Sequence, residues 1–319
     1  MDEKLIVERK KLLDRLGGVP EPVIENKEWL YLLEEETRNS ILIEGYFVDE
    51  EELEQALAGN KPVSKSQEEA VKYFKTAKFV YGLAYENYKS NQFLFGIPLI
   101  RQINKELGFN GEFRKEKIKI AGAKFEPPES YIEEWIRIYI DYVQNLSENF
   151  FDRICVSHAF FEEIHPFTDG NGRTGRIILN YILISNGYPL VIIKGSDKKK
   201  QIYYKGLEEL DSQLSDLFIK YKDVPPDRQK VYRKLKEAKS NILKRLILEA
   251  LRESLDRLII AKYKEKGIKL EPVSKLLKDL GYSPESTRQL IKRGKIIAVK
   301  IKKTWYSTED LIKLFLVSH

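Results

Sequence analysis

Two consecutive prolines, Pro225-Pro226, set the strongest constraint on how this 319-residue chain can fold. Neither donates a backbone hydrogen bond, and each pushes the residue before it out of helical geometry, so no helix runs through the pair. The charge changes sign at the same place. Residues 227–319 carry 24 Lys and Arg against 11 Asp and Glu, a net of +13, whereas residues 1–226 carry 31 against 38, a net of −7. The overall +6 hides this asymmetry. A basic tail on an acidic body points to a polyanionic partner for the tail alone; a Lys-rich solvated helix accounts for it equally well.

Composition removes several classes. One cysteine, Cys155, cannot close an internal disulfide or build a cysteine-ligated zinc or iron–sulfur site. Three histidines (His158, His165, His319) leave almost no room for a histidine-ligated metal centre. No run of 18 apolar residues occurs, so no membrane-spanning helix and no membrane partner are expected. The opening MDEKLIVERKKLLDRL mixes charges throughout and does not read as a secretory signal. A reduced, cytoplasmic, soluble protein is the expectation.

Apolar residues recur at helical spacing over most of the chain. Helices are predicted over 2–16, stopped by Gly17-Gly18; 27–41; 64–88; 96–107, opened by Gly96-Ile97-Pro98; 131–145; 148–163; and 173–185, with Gly187 as C-cap. Residues 198–217 give one or two more. The tract 112–125, EFRKEKIKIAGAKF, breaks the pattern. Ile118 and Ile120 alternate with lysines ahead of a small-residue turn at 121–123, which predicts a short β-hairpin ended by Pro127-Pro128. Residues 227–266 read as one long charged helix ended by Gly267. The expected fold class is mainly α, with one short hairpin in the helical core and a small C-terminal domain.

The segment from His165 to Arg176 reads HPFTDGNGRTGR. Gly170 and Gly172 flank Asn171 directly before an apolar helix, so several backbone N–H groups converge at a helix N-terminus, a ready anion site. Arg173 and Arg176 are three apart on one helix face, and an anion between them would relieve their conflict with the positive end of the dipole. A polyphosphate suits such guanidinium forks. Asp169 offers one hard oxygen ligand, and Mg²⁺ takes one or two carboxylates plus substrate phosphates and waters. His165, with an ordinary pKa near 6.5, suits a general base. His158, seven residues upstream, reads as a packed helix residue, and Cys155 as buried core.

This segment resembles the signature of the Fic family, H-x-F-x-D/E-G-N-G-R-x-x-R, with no departure. The resemblance implies transfer of AMP from ATP to a Tyr, Ser or Thr hydroxyl of a protein, its own included. It makes His165 the base and Asp169 the Mg²⁺ ligand. The expected ATP contacts are Phe167 (a buried anchor of the loop), Thr168, Asp169, Gly170, Asn171, Gly172, Arg173 and Arg176, with Tyr204 as a wall of the adenine pocket. The tract 112–125, with Gly111 and Arg114, is similar to the family's flap, which pairs with the target backbone. Transfer of another nucleotide or of a phosphate group stays open, because the loop fixes the phosphates and not the base. A homodimer is compatible with the family.

Upstream, Ser40-Ile-Leu-Ile-Glu44-Gly45 resembles the family's inhibitory motif: Ser or Thr, three residues, Glu, then Gly or Asn. The resemblance implies that Glu44, with Ser40 and Gly45, acts as a brake, its carboxylate pairing with Arg176 in place of the γ-phosphate. In some family members the same glutamate supports removal of AMP, so the net direction is open.

Downstream, residues 271–315 are similar to the winged helix-turn-helix of excisionase and MerR-like domains. Ser283 caps a helix with Pro284 in its first position, Gly294 stops it, residues 295–306 alternate as a two-stranded wing, and Ser307 opens a last helix. The resemblance implies that Thr287, Arg288 and Gln289 face the major groove of double-stranded DNA while Lys292, Arg293, Lys300, Lys302 and Lys303 meet phosphates. A protein-binding module of the same shape is the alternative for the tail, and a nucleotide-responsive DNA-binding regulator the alternative for the whole chain. The expected organisation is N-terminal helices with the inhibitory helix over 1–60, the Fic core over 61–226, a linker helix over 227–267 and the winged domain over 268–319.

Overall fold

The computed structural model describes residues 2–59, 61–120, 125–146 and 149–317. In chain order its elements are α1 (Glu3–Arg15), α2 (Lys27–Ile43), α3 (Glu50–Leu57), α4 (Lys65–Ser90), α5 (Ile97–Glu106), α6 (Ile132–Val143), α7 (Phe150–Ile164), α8 (Asn171–Ser185), α9 (Asp197–Lys220), α10 (Arg228–Glu237), α11 (Asn241–Glu265), β1 (Glu271–Pro272), α12 (Val273–Asp279), α13 (Pro284–Lys292), β2 (Val299–Ile301), β3 (Thr304–Ser307) and α14 (Glu309–Val317). The chain divides into two compact units: residues 31–247, and residues 1–30 with 248–319. No helix among the described residues is long and apolar enough to cross a membrane.

Every regular element among the described residues of the larger unit is a helix. Helix α8 has apolar residues on every side and is buried all round, packed against α4 and α7, with α6 and α9 completing the layer around α7. The 165–170 turn therefore hangs between two rigid core helices. Local caps fix several boundaries: the Ser64 hydroxyl accepts from Gln67 N (3.2 Å), and Asp49 and Glu52 form a reciprocal capping box that opens α3. Helix α3, only 8 residues long, escapes a reading by periodicity.

The structure differs from the sequence-based expectation over 227–266 and over 112–125. The single helix expected over 227–266 is two, because Ala238 adopts extended backbone and Ser240 starts a new helix by accepting from Leu243 N (3.0 Å). The tract 112–125 forms no strand ladder among its described residues; Arg114 instead donates its backbone N–H to the Pro166 carbonyl (2.9 Å). The turn expected at 121–123, and residue 148, where a helix was expected to start, lie outside the described residues.

In the smaller unit an antiparallel sheet of order β1-β3-β2 pairs Pro272 with Tyr306 and Lys300 with Trp305. Its core gathers Val273, Leu277, Ile296, Ala298 and Ile312. Ser283 caps α13, accepting from Ser286 N, and Pro284 takes the first helical position. Ser307 ends β3, donating to the Ile297 carbonyl (2.6 Å), and Thr308 caps α14 in its place. Helix α1 belongs to this unit. Arg9, fully buried, pairs with Asp256 (2.6 Å) and donates to the carbonyls of Gly294 (2.8 Å) and Ile296 (3.2 Å). Deleting one partner of such a pair costs about 3–5 kcal/mol, because the other charge stays buried alone. The division thus departs from boundaries drawn at 60, 227 and 267.

Candidate active site

His165 is the C-cap of α7, at φ 48 and ψ 60. A left-handed residue with a Cβ costs about 1 kcal/mol, so its surroundings must impose it. Its Nδ1 lies 3.0 Å from the Glu162 carbonyl. A carbonyl only accepts, so Nδ1 carries the proton and Nε2 is the free basic nitrogen. Burial pushes the imidazole down to about 4 against the opposing Glu162 carbonyl, with the Arg114 charge adding to the depression. His165 is neutral at physiological pH.

The turn beyond it closes on itself. Asn171 accepts from the Phe167 N–H (2.9 Å) and donates to the Phe167 carbonyl (2.8 Å), with Phe167 buried. Gly170 sits at φ 78, where an added Cβ would lie 2.3 Å from the Phe109 ring. Asn104 on α5 donates to the Asp169 carbonyl (2.9 Å). Thr168 and Asp169 are exposed; one Asp169 oxygen accepts from Gly170 N and stands 3.7 Å from Arg173.

The N-terminus of α8 already holds an anion from within the chain. Glu36 and Ser40 lie four apart on one face of α2, and Glu44 follows four residues on, just past its end. Arg176 donates to the Ser40 hydroxyl (2.6 Å) and carbonyl (3.0 Å) and pairs with Glu44 (2.7 Å). Burial would raise the Glu44 carboxyl, but Arg176 outweighs it, with help from Arg173 and Lys200, and holds it below the usual range. A Cβ at Gly172 would lie 2.8 Å from the Glu44 carboxylate, so glycine makes that seat possible. Gly45 follows at φ 90 as α2 ends. Glu36 lies deeper, accepting from Tyr73 Oη (2.5 Å), and burial pushes it up to about 8. It is mostly neutral at pH 7 and leaves Glu44 as the main counter-charge on Arg176.

Arg173 is engaged elsewhere: it pairs with Glu69 of α4 and lies 4.8 Å over the Phe109 ring. The two arginines expected to share one anion thus each have a carboxylate partner. An open cleft of ≈ 460 Å³ faces the turn, lined by Glu44, His165, Gly172, Arg176, Lys200 and Tyr204, with Ile120 and Phe125 at its edge. Tyr204 is 41% exposed, whereas Tyr203 is buried and bonded to His158 Nε2 (2.8 Å). Burial holds His158 down at about 3, and Cys155 is buried. Glu162, a neighbour in the cleft, is pushed up to about 8 by burial.

Sequence reasoning missed Glu36, Glu69, Phe109 and Glu162. Only Glu162, a carboxylate in an apolar helix three residues before His165, and Glu36, in phase with Ser40 and Glu44, left a trace in the pattern.

No group of three or more His, Cys, Asp or Glu among the described residues could hold a metal unaided. The lone exposed Asp169 carboxylate fits a Mg²⁺ that completes its shell with phosphates and waters. In the smaller unit, Arg288, Gln289 and Lys292 of α13 and its C-cap Arg293 are exposed, as are Lys300, Lys302 and Lys303 of the β2–β3 hairpin. Thr287 is not available: it is 6% exposed and its hydroxyl donates to the Ser283 carbonyl (3.0 Å), because its phase on α13 turns it inward.

An α-helical core that delivers a glycine turn, an imidazole and an arginine to one cleft defines a protein built to handle an anion. Residues 95–183 match the Fic/DOC family. A probable protein adenylyltransferase of Aquifex aeolicus is 32% identical over 290 residues, covering 86% of this chain and 84% of the relative. The protein adenylyltransferase fic-1 of Caenorhabditis elegans is 32% identical over 142 residues, 42% of this chain but 27% of that protein. Among solved structures, a Fic-domain signalling protein from Bacteroides thetaiotaomicron superimposes with a TM-score of 0.59 at 16% identity, over 80% of this chain and 96% of that one. Fic-1 from C. elegans does so at 0.60 and 17%, over 83% and 73%. The chain belongs to the Fic/DOC family.

Proposed function

We propose that the chain is a protein adenylyltransferase, moving AMP from ATP to a protein hydroxyl, with Glu44 as a built-in brake. The observation that carries this reading is that His165, Arg176 and the N-terminus of α8 line one cleft, with the basic Nε2 of His165 unpartnered among the described residues. The Gly170–Gly172 backbone and Arg176 receive the β- and γ-phosphates, and Arg173 supports them from its fixed place on Glu69. Tyr204 stacks on the base. Asp169 would hold Mg²⁺, which would neutralise phosphate charge. The acceptor oxygen attacks the α-phosphorus, the bond to the leaving pyrophosphate breaks, and the hydroxyl proton passes to His165 Nε2. Binding supplies alignment, and Glu44 opposes it by occupying the γ-phosphate's counter-charge.

The test separates adenylyl from phosphoryl transfer. With Mg²⁺-ATP, label on the α-phosphate should enter protein and label on the γ-phosphate should not. The reverse pattern would reject AMP transfer, and competition by UTP equal to that by ATP would reject the base preference.

A second reading, DNA binding by the smaller unit, is favoured by the exposed basic side chains of α13 and the β2–β3 hairpin. The full chain, not a 227–319 fragment, is the sample, since α1 is part of that unit. Its gel shift on duplex DNA should weaken by about 10³-fold between 50 and 200 mM salt if some six phosphates are contacted. Binding indifferent to salt would favour a protein partner.

A further inference from the structure

We propose that Arg114 is a positioning residue for His165, tying the tract that borders the cleft to the end of α7 so that the imidazole stays aimed at the substrate. Its side chain is buried, and among the described residues it has no carboxylate partner. Backbone carbonyls take that place. Nε donates to His165 (2.7 Å), Nη2 to Ile164 (3.1 Å) and Pro128 (2.7 Å), and Nη1 to Glu116 (3.0 Å). The carbonyls of Ile164 and His165 end α7, where helix acceptors lack internal partners and the dipole is negative. A guanidinium there caps the helix from a distant segment and holds His165 in its left-handed conformation.

The same fork gathers Glu116 and Pro128, which bracket the cleft-edge residues Ile120 and Phe125. One side chain thus sets both ends of that tract against the base. Lysine lacks the planar fork to reach carbonyls in several directions. The Arg114 charge also helps keep His165 neutral; Glu44 and Asp169 oppose it, while Glu162, Arg176, Lys200, Glu208 and Asp211 line the same cleft.

Two experiments test the assignment, and the first does not rest on the adenylyl-transfer reading. With only three histidines, imidazole ¹⁵N spectra can resolve each side chain. In Arg114→Gln the His165 midpoint should rise by about one pH unit and its fixed Nδ1–H tautomer should become mixed, since a charge and an anchor are both lost. His158, bonded to Tyr203, is the folding control. An unchanged His165 beside an intact His158 would overturn the proposal. Should Arg114→Gln disturb His158 as well, Arg114→Lys, which keeps the charge, carries the test: mixed tautomers with an unshifted His158 support the proposal, and a wild-type tautomer rejects it.

The second experiment, in the Glu44→Gly background, measures labelling rate and ATP binding separately. Arg114→Gln should lower the rate about 100-fold, the lower end of what a misplaced general base costs. ATP affinity should stay within about threefold, because Arg114 is spent on backbone carbonyls. Equal losses of rate and affinity would reject a role through His165. If Glu44→Gly itself transfers no label, the function assigned above fails, while the spectra still decide the role of Arg114.

Discussion

Glu44→Gly should raise the rate of AMP labelling by about 10- to 100-fold, equivalent to ~1.4–2.8 kcal/mol off the barrier. The source of the gain is specific. In the resting chain the Glu44 carboxylate sits 2.8 Å from where a Gly172 Cβ would be and 2.7 Å from Arg176, the seat that α8 prepares for a phosphate. Removing the carboxylate leaves Arg176 held by two contacts with Ser40, so the guanidinium keeps its place while losing its competitor. ATP affinity should rise in the same variant, measurable by calorimetry without any target protein. Unchanged labelling together with unchanged affinity would remove Glu44 from the account of regulation.

His165→Ala in that activated background should lower labelling by about 10²- to 10⁴-fold, the range a positioned base contributes. ATP should still bind, because His165 holds no phosphate in this account. The pH profile supplies a second check. His165 acts as a base only when neutral, and its midpoint is depressed to about 4, chiefly by burial. Its share of activity is therefore intact at pH 6–8 and is lost only as pH falls through about 4. A steep decline between pH 7 and 6 in the Glu44→Gly enzyme would mean that a group other than His165 takes the proton.

Features closed by neighbours in sequence were legible; features closed by distant partners were not. The 165–176 turn is locally determined, since Asn171 clamps Phe167 four residues away. Ser64 and Ser283 announce the helices they cap. Ser240 carries the same kind of signal, but helix-forming residues on either side conceal it. Thr287 and Arg288 are adjacent in sequence, yet a 100° step on α13 puts one inside and one outside, and composition does not set that phase. Arg173 looked free for an anion because its partner, Glu69, lies 104 residues away. The spacing of Glu36, Ser40 and Glu44 was readable, whereas the bond that buries Glu36 against Tyr73, 37 residues away, was not.

The placement of Arg9 has a consequence for how the chain is made. Its counter-ion, Asp256, is 247 residues away, and two of its carbonyl partners lie later still. At ~5–20 residues per second, the ribosome takes roughly tens of seconds to deliver them. During that interval the intervening 31–247 helices can assemble, while α1 waits as a cationic amphipathic segment with no core to enter. Closure of the smaller unit is thus a late, long-range event, and the nascent α1 is where a holding chaperone has the most to gain.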